Sequence, residues 1–128
     1  MLEARARVAA GILPGSLAAL RRSLRDPVAT QRRLLRSLLQ RAARTEWGIR
    51  YRFDELARQP DVVAAYQECV ALHRYDDFRE DVERIRRGRP DVIWPGSFHN
   101  FAVSSGTASA GKIIPVSREM LVRNRAFG

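Results

Sequence analysis

Asp26-Pro27 opens a helix and leaves the next residues little conformational choice. The aspartate can accept a hydrogen bond from the first turn, and proline at the first helical position lacks only a donor that would stay unpaired anyway. From there to about residue 44, Leu34, Leu38 and Ala42 form one row at helical spacing, and Leu35, Leu39 and Ala43 form the adjacent row. Together they make one apolar face. Arg32, Arg33, Arg36, Arg41 and Arg44 lie mostly on its flanks and on the opposite side. Burying each leucine of such a face contributes roughly 1.5–3 kcal/mol. The face therefore needs a partner, either within the chain or in a larger body.

Upstream, residues 2–12 suit a short helix, broken by Pro14, Gly15 and Ser16, after which Leu17, Leu20 and Leu24 resume helical spacing. Downstream, Thr45–Asp54 reads as irregular and turn-forming, with Trp47 and Tyr51 as packing anchors. A helix is expected from Val62 to about Val70. Tyr75-Asp76-Asp77 opens another, over about 76–87, with Phe78, Val82 and Ile85 as its buried stripe and Gly88 as its stop. The paired aspartates suit the positive end of that helix better than a metal ion. After Gly88 the texture changes. Val92-Ile93-Trp94 reads as a short strand or extended segment, Pro95-Gly96 as a turn, and Phe101-Ala102-Val103 as a strand. Ile113–Val116 is extended again, and Ser117 caps a closing helix. The expected fold class is α/β, mostly helical over 1–88, with short strands and a loop over 89–128.

At 128 residues and 45% hydrophobic, the chain is one small domain or a piece of a larger one, with enough apolar material for a core. Its formal charge is +9, which can attract nucleic acid or an anionic surface. The arginines are dispersed among apolar positions, as on solvated helix faces. A basic helical interaction module is the rival reading; it requires arginines gathered on one face and steeply salt-dependent binding. Cys69 stands alone, which excludes an internal disulfide and suits a reducing compartment. Its apolar run, Ala64–Leu72, points to a buried structural thiol. No run approaches the roughly 18 apolar residues of a membrane span. Arg5, Arg7 and the stretch Val8–Leu20 loosely mimic a signal peptide, but Pro14, Gly15 and Ser16 interrupt it and Arg21-Arg22 comes next without a cleavage site. A cytoplasmic location is expected, with neither membrane nor nucleic acid as a partner.

The chemistry concentrates in Ser104-Ser105-Gly106-Thr107-Ala108-Ser109-Ala110-Gly111-Lys112. Of the 23 lysine and arginine residues only Lys112 is lysine. Glycines allow close backbone approach, hydroxyls and N–H groups donate, and the ammonium is a compact point charge, as a polyphosphate site needs. A Ser/Gly-rich surface turn with an incidental lysine is the plainer alternative. Gly106-x-x-x-x-Gly111-Lys112 has the Walker A spacing up to the lysine, but Ile113 stands where a metal-binding Ser or Thr belongs. Pro115 opposes the helix that a Walker A loop would lead into. The segment is therefore strand–loop–strand. Ser104, Ser105, Gly106, Thr107 and Lys112 are the first candidates for phosphate contact, and Ser109 and Gly111 the second. His73 has no partner at metal-ligand spacing, and His99, just before the strand that feeds the loop, reads as structural or exposed, the alternative being a place facing the acyl or nucleotide site; neither supports a metal site.

Phe101–Ser117, FAVSSGTASAGKIIPVS, resembles the first ATP-binding motif of the acyl-adenylate-forming superfamily, in the version carried by the auxin-responsive promoter family, the acyl-acid amido synthetases. Asp26-Pro27 with Gln31–Leu35, and Ala43-Arg44-Thr45-Glu46-Trp47-Gly48, resemble that family's opening helix and the segment after it. Arg74-Tyr75-Asp76-Asp77-Phe78 with Ile85-Arg86-Arg87-Gly88 resembles its helix ahead of the loop. Ala108 departs from the pattern, which often has Ser or Thr there, and the loop is one residue shorter before its lysine.

The resemblance implies the N-terminal part of the large domain of an adenylate-forming enzyme. It implies ATP with Mg2+, a small-molecule carboxylic acid, and an amine or amino acid, joined as an amide through an acyl adenylate. Lys112 would then be the catalytic cation, and the loop would position the β- and γ-phosphates. The adenine, ribose and acyl-pocket motifs of such enzymes are not found in these residues. The chain is accordingly expected to be an N-terminal fragment that lacks its C-terminal remainder and binds ATP weakly, if at all, by itself.

Overall fold

The computed structural model describes residues 25–104 and 111–127. Helix α1 runs Pro27–Ala42, α2 Glu46–Arg50, α3 Phe53–Leu56 and α4 Val62–Cys69. A 3-10 turn, Tyr75–Phe78, leads into α5, Arg79–Arg86. Strands β1, Asn100–Val103, and β2, Ile113–Val116, form an antiparallel pair, and α6 spans Arg118–Phe127. The described residues are thus mostly helical with one small sheet. The helical segments expected over 2–12 and around Leu17–Leu24 lie outside them.

The start of α1 is as the sequence dictates. Asp26 accepts from Ala29 N at 2.9 Å, with Pro27 in the first turn. The two leucine rows do not share one fate, however. Leu39 and Ala42 are buried, and Leu35 and Ala43 pack beside them, but Leu34 and Leu38 remain 52% and 41% exposed. The core takes the Leu35, Leu39 and Ala43 row but only the last residue, Ala42, of the other, because α3 and α4 cover only that side. It gathers Leu39, Ala42, Phe53, Leu56, Ala57, Val62 and Val70.

Arg36, expected on a solvated flank, crosses to the end of α3. Its guanidinium donates to Ala57 O at 3.1 Å, Gln59 O at 2.8 Å and Pro60 O at 2.9 Å. These carbonyls come after a four-residue helix, where the chain has no further helical N–H groups to offer them. Charge-assisted bonds of this kind contribute about 1.5–3 kcal/mol. Arg36→Ala is expected to destabilise the chain by about 2 kcal/mol, and urea unfolding at neutral pH measures it.

Thr45–Asp54, expected to be irregular, is two short helices. Thr45 is buried and caps α2, accepting from Gly48 N at 3.0 Å while donating to Ala42 O at 2.7 Å. The first N–H groups of α2 find carbonyls far along the chain. Glu46 N donates to Asp91 O at 2.8 Å and Trp47 N to Val92 O at 3.1 Å. A Cβ on Gly48 would stand 1.9 Å from Ala42 O, so only glycine lets α2 come this close to the end of α1. Trp47 is buried and Tyr51 half-buried, as anchors should be.

Two further expectations fail. Cys69 is exposed. Helix α4 ends there, and the extended Val70 takes the inward position instead. Val92-Ile93-Trp94 forms no strand. The carbonyl of Val92 is committed to α2, and a turn closes behind it, with Gly96 N donating to Asp91 Oδ1 at 2.7 Å. Gly88 does stop α5. Its N–H donates to Ile85 O at 2.9 Å, and that of Arg89 to Arg84 O at 3.0 Å. Ser117 Oγ caps α6 through Met120 N at 3.2 Å.

Candidate functional site

The strand pair delivers both ends of the Ser/Gly-rich loop. Val103 stands opposite Ile113, Ala102 opposite Ile114, and Phe101 opposite Pro115. Ser104 N donates to Lys112 O at 3.0 Å, which makes Ser104 and Lys112 a hydrogen-bonded pair. By the alternation of antiparallel ladders, Val103/Ile113 and Phe101/Pro115 are then non-hydrogen-bonded pairs. Pro115 therefore costs the ladder nothing, because its missing N–H would have pointed away from β1.

Ser104 also uses its side chain here. Its Oγ accepts from Lys112 N at 3.1 Å and retains its own proton to donate. A Cβ on Gly111 would lie 2.4 Å from Ser104 O and 2.8 Å from Val103 Cγ1, so glycine is required for the loop to close this tightly. Of the predicted phosphate contacts, Ser104, Gly111 and Lys112 are thus brought together at the neck of the loop. Ser105, Gly106, Thr107 and Ser109, with Ala108, lie outside the described residues.

Lys112 is exposed, and its Nζ stands 5.4 Å from the centre of the Tyr75 ring. The hydroxyl of Tyr75 binds the backbone of the next residue. It donates to Ile113 O at 3.1 Å and accepts from Ile113 N at 2.8 Å. Sequence reasoning assigned Tyr75 only to the opening of a helix. Its place directly before Asp76-Asp77 in the family-like segment was the available signal. The link across 38 positions was not readable from spacing.

The support for the site comes from α5 and α2. Asp77 Oδ2 accepts from Arg74 N at 2.6 Å, and Asp76 pairs with Arg79 at 2.6 Å, so both aspartates serve the turn that carries Tyr75. Arg84 on α5 grips Glu46 with two bonds of 2.6 and 2.7 Å and reaches Asp81 at 3.1 Å. Asp81 in turn accepts from Trp47 Nε1 at 2.7 Å. The hydrogen bond from Arg84 holds the Glu46 carboxyl below its ordinary value of 4.5, against the opposing effect of burial and with added help from Arg89. Glu46 in turn raises Arg84.

A lowered carboxylate stabilises the fold fully above its ordinary value and loses that contribution as pH falls through the folded value. Glu46→Gln is therefore expected to destabilise the chain near neutral pH. The gap to wild type should shrink below about pH 4.5, and urea unfolding at the two pH values checks it.

His73 lies in an aromatic cluster with Trp47, Tyr51 and Phe78, and its Nε2 hydrogen-bonds Tyr51 Oη at 2.9 Å. His99 is exposed beside the start of β1. Among the described residues, no group of three His, Cys, Asp or Glu could hold a metal ion. Many arginines are spent on internal partners, including Arg41 with Glu119, Arg52 with Glu55, Arg58 with Asp54 and Arg86 with Glu83. No helix of the described residues is long and apolar enough to cross a membrane.

Comparison with known proteins agrees with the resemblance read from the motifs. The GH3 family N-terminal domain matches residues 16–128. The chain is 31% identical over 101 residues to a protein of Oryza sativa subsp. japonica named probable indole-3-acetic acid-amido synthetase GH3.13, covering 74% of this chain and 22% of the relative. It is 33% identical over 95 residues to probable indole-3-acetic acid-amido synthetase GH3.1 of the same organism, covering 73% of this chain and 15% of the relative. The chain thus spans about a fifth of the length of these relatives or less. With residues 16–128 of its 128 matched by that domain, the chain belongs to the GH3 family, in its N-terminal domain.

Proposed function

We propose that this chain supplies the polyphosphate grip of an acyl-acid amido synthetase. The observation that carries the reading is the neck of the loop. The chain's single lysine stands exposed beside a glycine that admits no side chain, with the hydroxyl of Ser104 tied to the lysine's own N–H. In the proposed reaction a carboxylate oxygen attacks the α-phosphorus of ATP and the bond to pyrophosphate breaks. An amine nitrogen then attacks the acyl carbon, loses a proton, and AMP leaves.

The part given to these residues is electrostatic. Charge accumulates on the departing pyrophosphate, and a fixed cation with nearby N–H and O–H donors stabilises it. Lys112 supplies the charge and Ser104 a hydroxyl proton. Ser105, Gly106, Thr107, Ser109 and Gly111 complete the proposed set. The resemblance implies magnesium, but the described residues hold no cluster of carboxylate, thiol or imidazole ligands for it, so no step is routed through a metal here.

The names of the relatives support a small carboxylic acid, joined as an amide, as a substrate of the whole protein. The nucleotide products test the reading. Incubation of the full-length protein with ATP, a carboxylic acid and an amine is expected to release AMP and pyrophosphate. Release of ADP and phosphate instead would place the loop with the Walker-type hydrolases and end the proposal.

A further inference from the structure

Ile113 stands at a non-hydrogen-bonded position of the ladder, so its N–H and C=O point away from β1. Tyr75 Oη meets both, accepting at 2.8 Å and donating at 3.1 Å. A phenol has one proton and two lone pairs, so one hydroxyl can make the two bonds together. The ring of the same residue offers its electron-rich face to Lys112 Nζ, 5.4 Å from the centroid. One side chain therefore holds the backbone immediately after Lys112 and the head of Lys112 itself. Tyr75 is in turn secured by the bond from Arg74 N to Asp77 and by α5, whose Val82 and Ile85 are buried.

We propose that Tyr75 is the positioning residue of Lys112. Its hydroxyl fixes where the lysine leaves the strand, and its ring parks the ammonium at the mouth of the loop neck. A lysine otherwise sits on a flexible four-carbon stem with much rotamer freedom to lose on binding. Parking reduces that loss. An exposed cation–π contact is also weak enough for an anionic phosphate to draw the ammonium away. The consequence for catalysis rests on the proposed phosphate role of the loop; the contact itself does not.

The single lysine makes the test direct, because 13C-lysine labelling of these 128 residues yields the signals of one side chain, that of Lys112. In wild type its ε-methylene protons are expected upfield of free lysine, shifted by the ring. Tyr75→Phe should keep that shift and Tyr75→Leu should abolish it. In Tyr75→Phe the Ile113 amide should exchange roughly three- to tenfold faster, for the loss of one hydrogen bond, with the amides of α1 unchanged.

A wild-type lysine signal at the free-lysine position overturns the proposal without any variant. Unchanged Ile113 exchange in a folded Tyr75→Phe overturns it as well. Inorganic tripolyphosphate then separates the two readings. It should shift the Lys112 signal in wild type, at lower concentration than in Tyr75→Phe. Equal half-saturation in the two proteins overturns the positioning role. A wild-type signal that ignores tripolyphosphate even at the millimolar levels a weak site requires, with the ligand-free results intact, ends the phosphate reading and leaves the Tyr75 contact standing.

Discussion

Gly48→Ala is expected to cost the chain much of its stability and to lower its thermal midpoint sharply. The new Cβ would meet Ala42 O at 1.9 Å and Ala43 C and O at 2.7 Å, all of them backbone atoms at the end of α1. Backbone cannot rotate aside as a side chain can, so one helix must move. Helix α2 has nowhere to go. Its first N–H groups are bonded to Asp91 and Val92, its capping Thr45 is buried, and Trp47 is bonded to Asp81. Overpacking alone costs about 1–3 kcal/mol, and each buried hydrogen bond broken adds about 1–3 kcal/mol. A loss of about 4 kcal/mol is a large share of the 5–15 kcal/mol typical of whole domains. It corresponds to a fall in Tm of roughly 12–24 °C for a chain of this size. Thermal unfolding monitored by far-ultraviolet circular dichroism measures it. A Tm within about 3 °C of wild type would contradict the close approach of α1 and α2.

Lys112→Ala is expected to leave the fold intact and remove the chemistry. The side chain is exposed, and its one described aromatic contact is the ring of Tyr75. Surface changes of this kind shift stability by about 0.5 kcal/mol or less. Removing a group aimed at charge that develops in the transition state costs about 100- to 1,000-fold in rate. The same range is expected for adenylation by the full-length protein. Lys112→Arg should recover little. A planar fork on a longer, stiffer head does not replace a compact ammonium beside a loop closed as tightly as Gly111 closes this one.

What the sequence made legible was local. Asp26-Pro27, Gly88 and Ser117 each carry their own capping chemistry, and each ends or begins a helix where that chemistry acts. The strand–loop–strand reading also came from neighbours in sequence, because Ile113 and Pro115 oppose a helix after Lys112. What stayed hidden depends on distant partners. Helices α2 and α3 are five and four residues long, too short to show a period, and α2 exists through carbonyls more than forty positions away. The unequal burial of Leu34 and Leu39 depends on where α3 and α4 settle, which one helical face cannot announce. Arg36 looked like any solvated arginine until the end of α3 came beside it. Of the candidate site, the strands that flank the loop and the neck residues Ser104, Gly111 and Lys112 could be picked out, whereas the clamp of Tyr75 on Ile113 joins two segments that no spacing rule connects.

Carboxylate-dependent exchange of labelled pyrophosphate into ATP reports most directly on the grip of this loop. It reports formation and reversal of the adenylate alone, without the amine step. The full-length protein with Lys112 should exchange label only when a carboxylic acid is present, and Lys112→Ala should slow that exchange about 100-fold or more at unchanged Tm. Equal exchange by a folded Lys112→Ala protein would contradict the assignment of this loop as the grip on the phosphates.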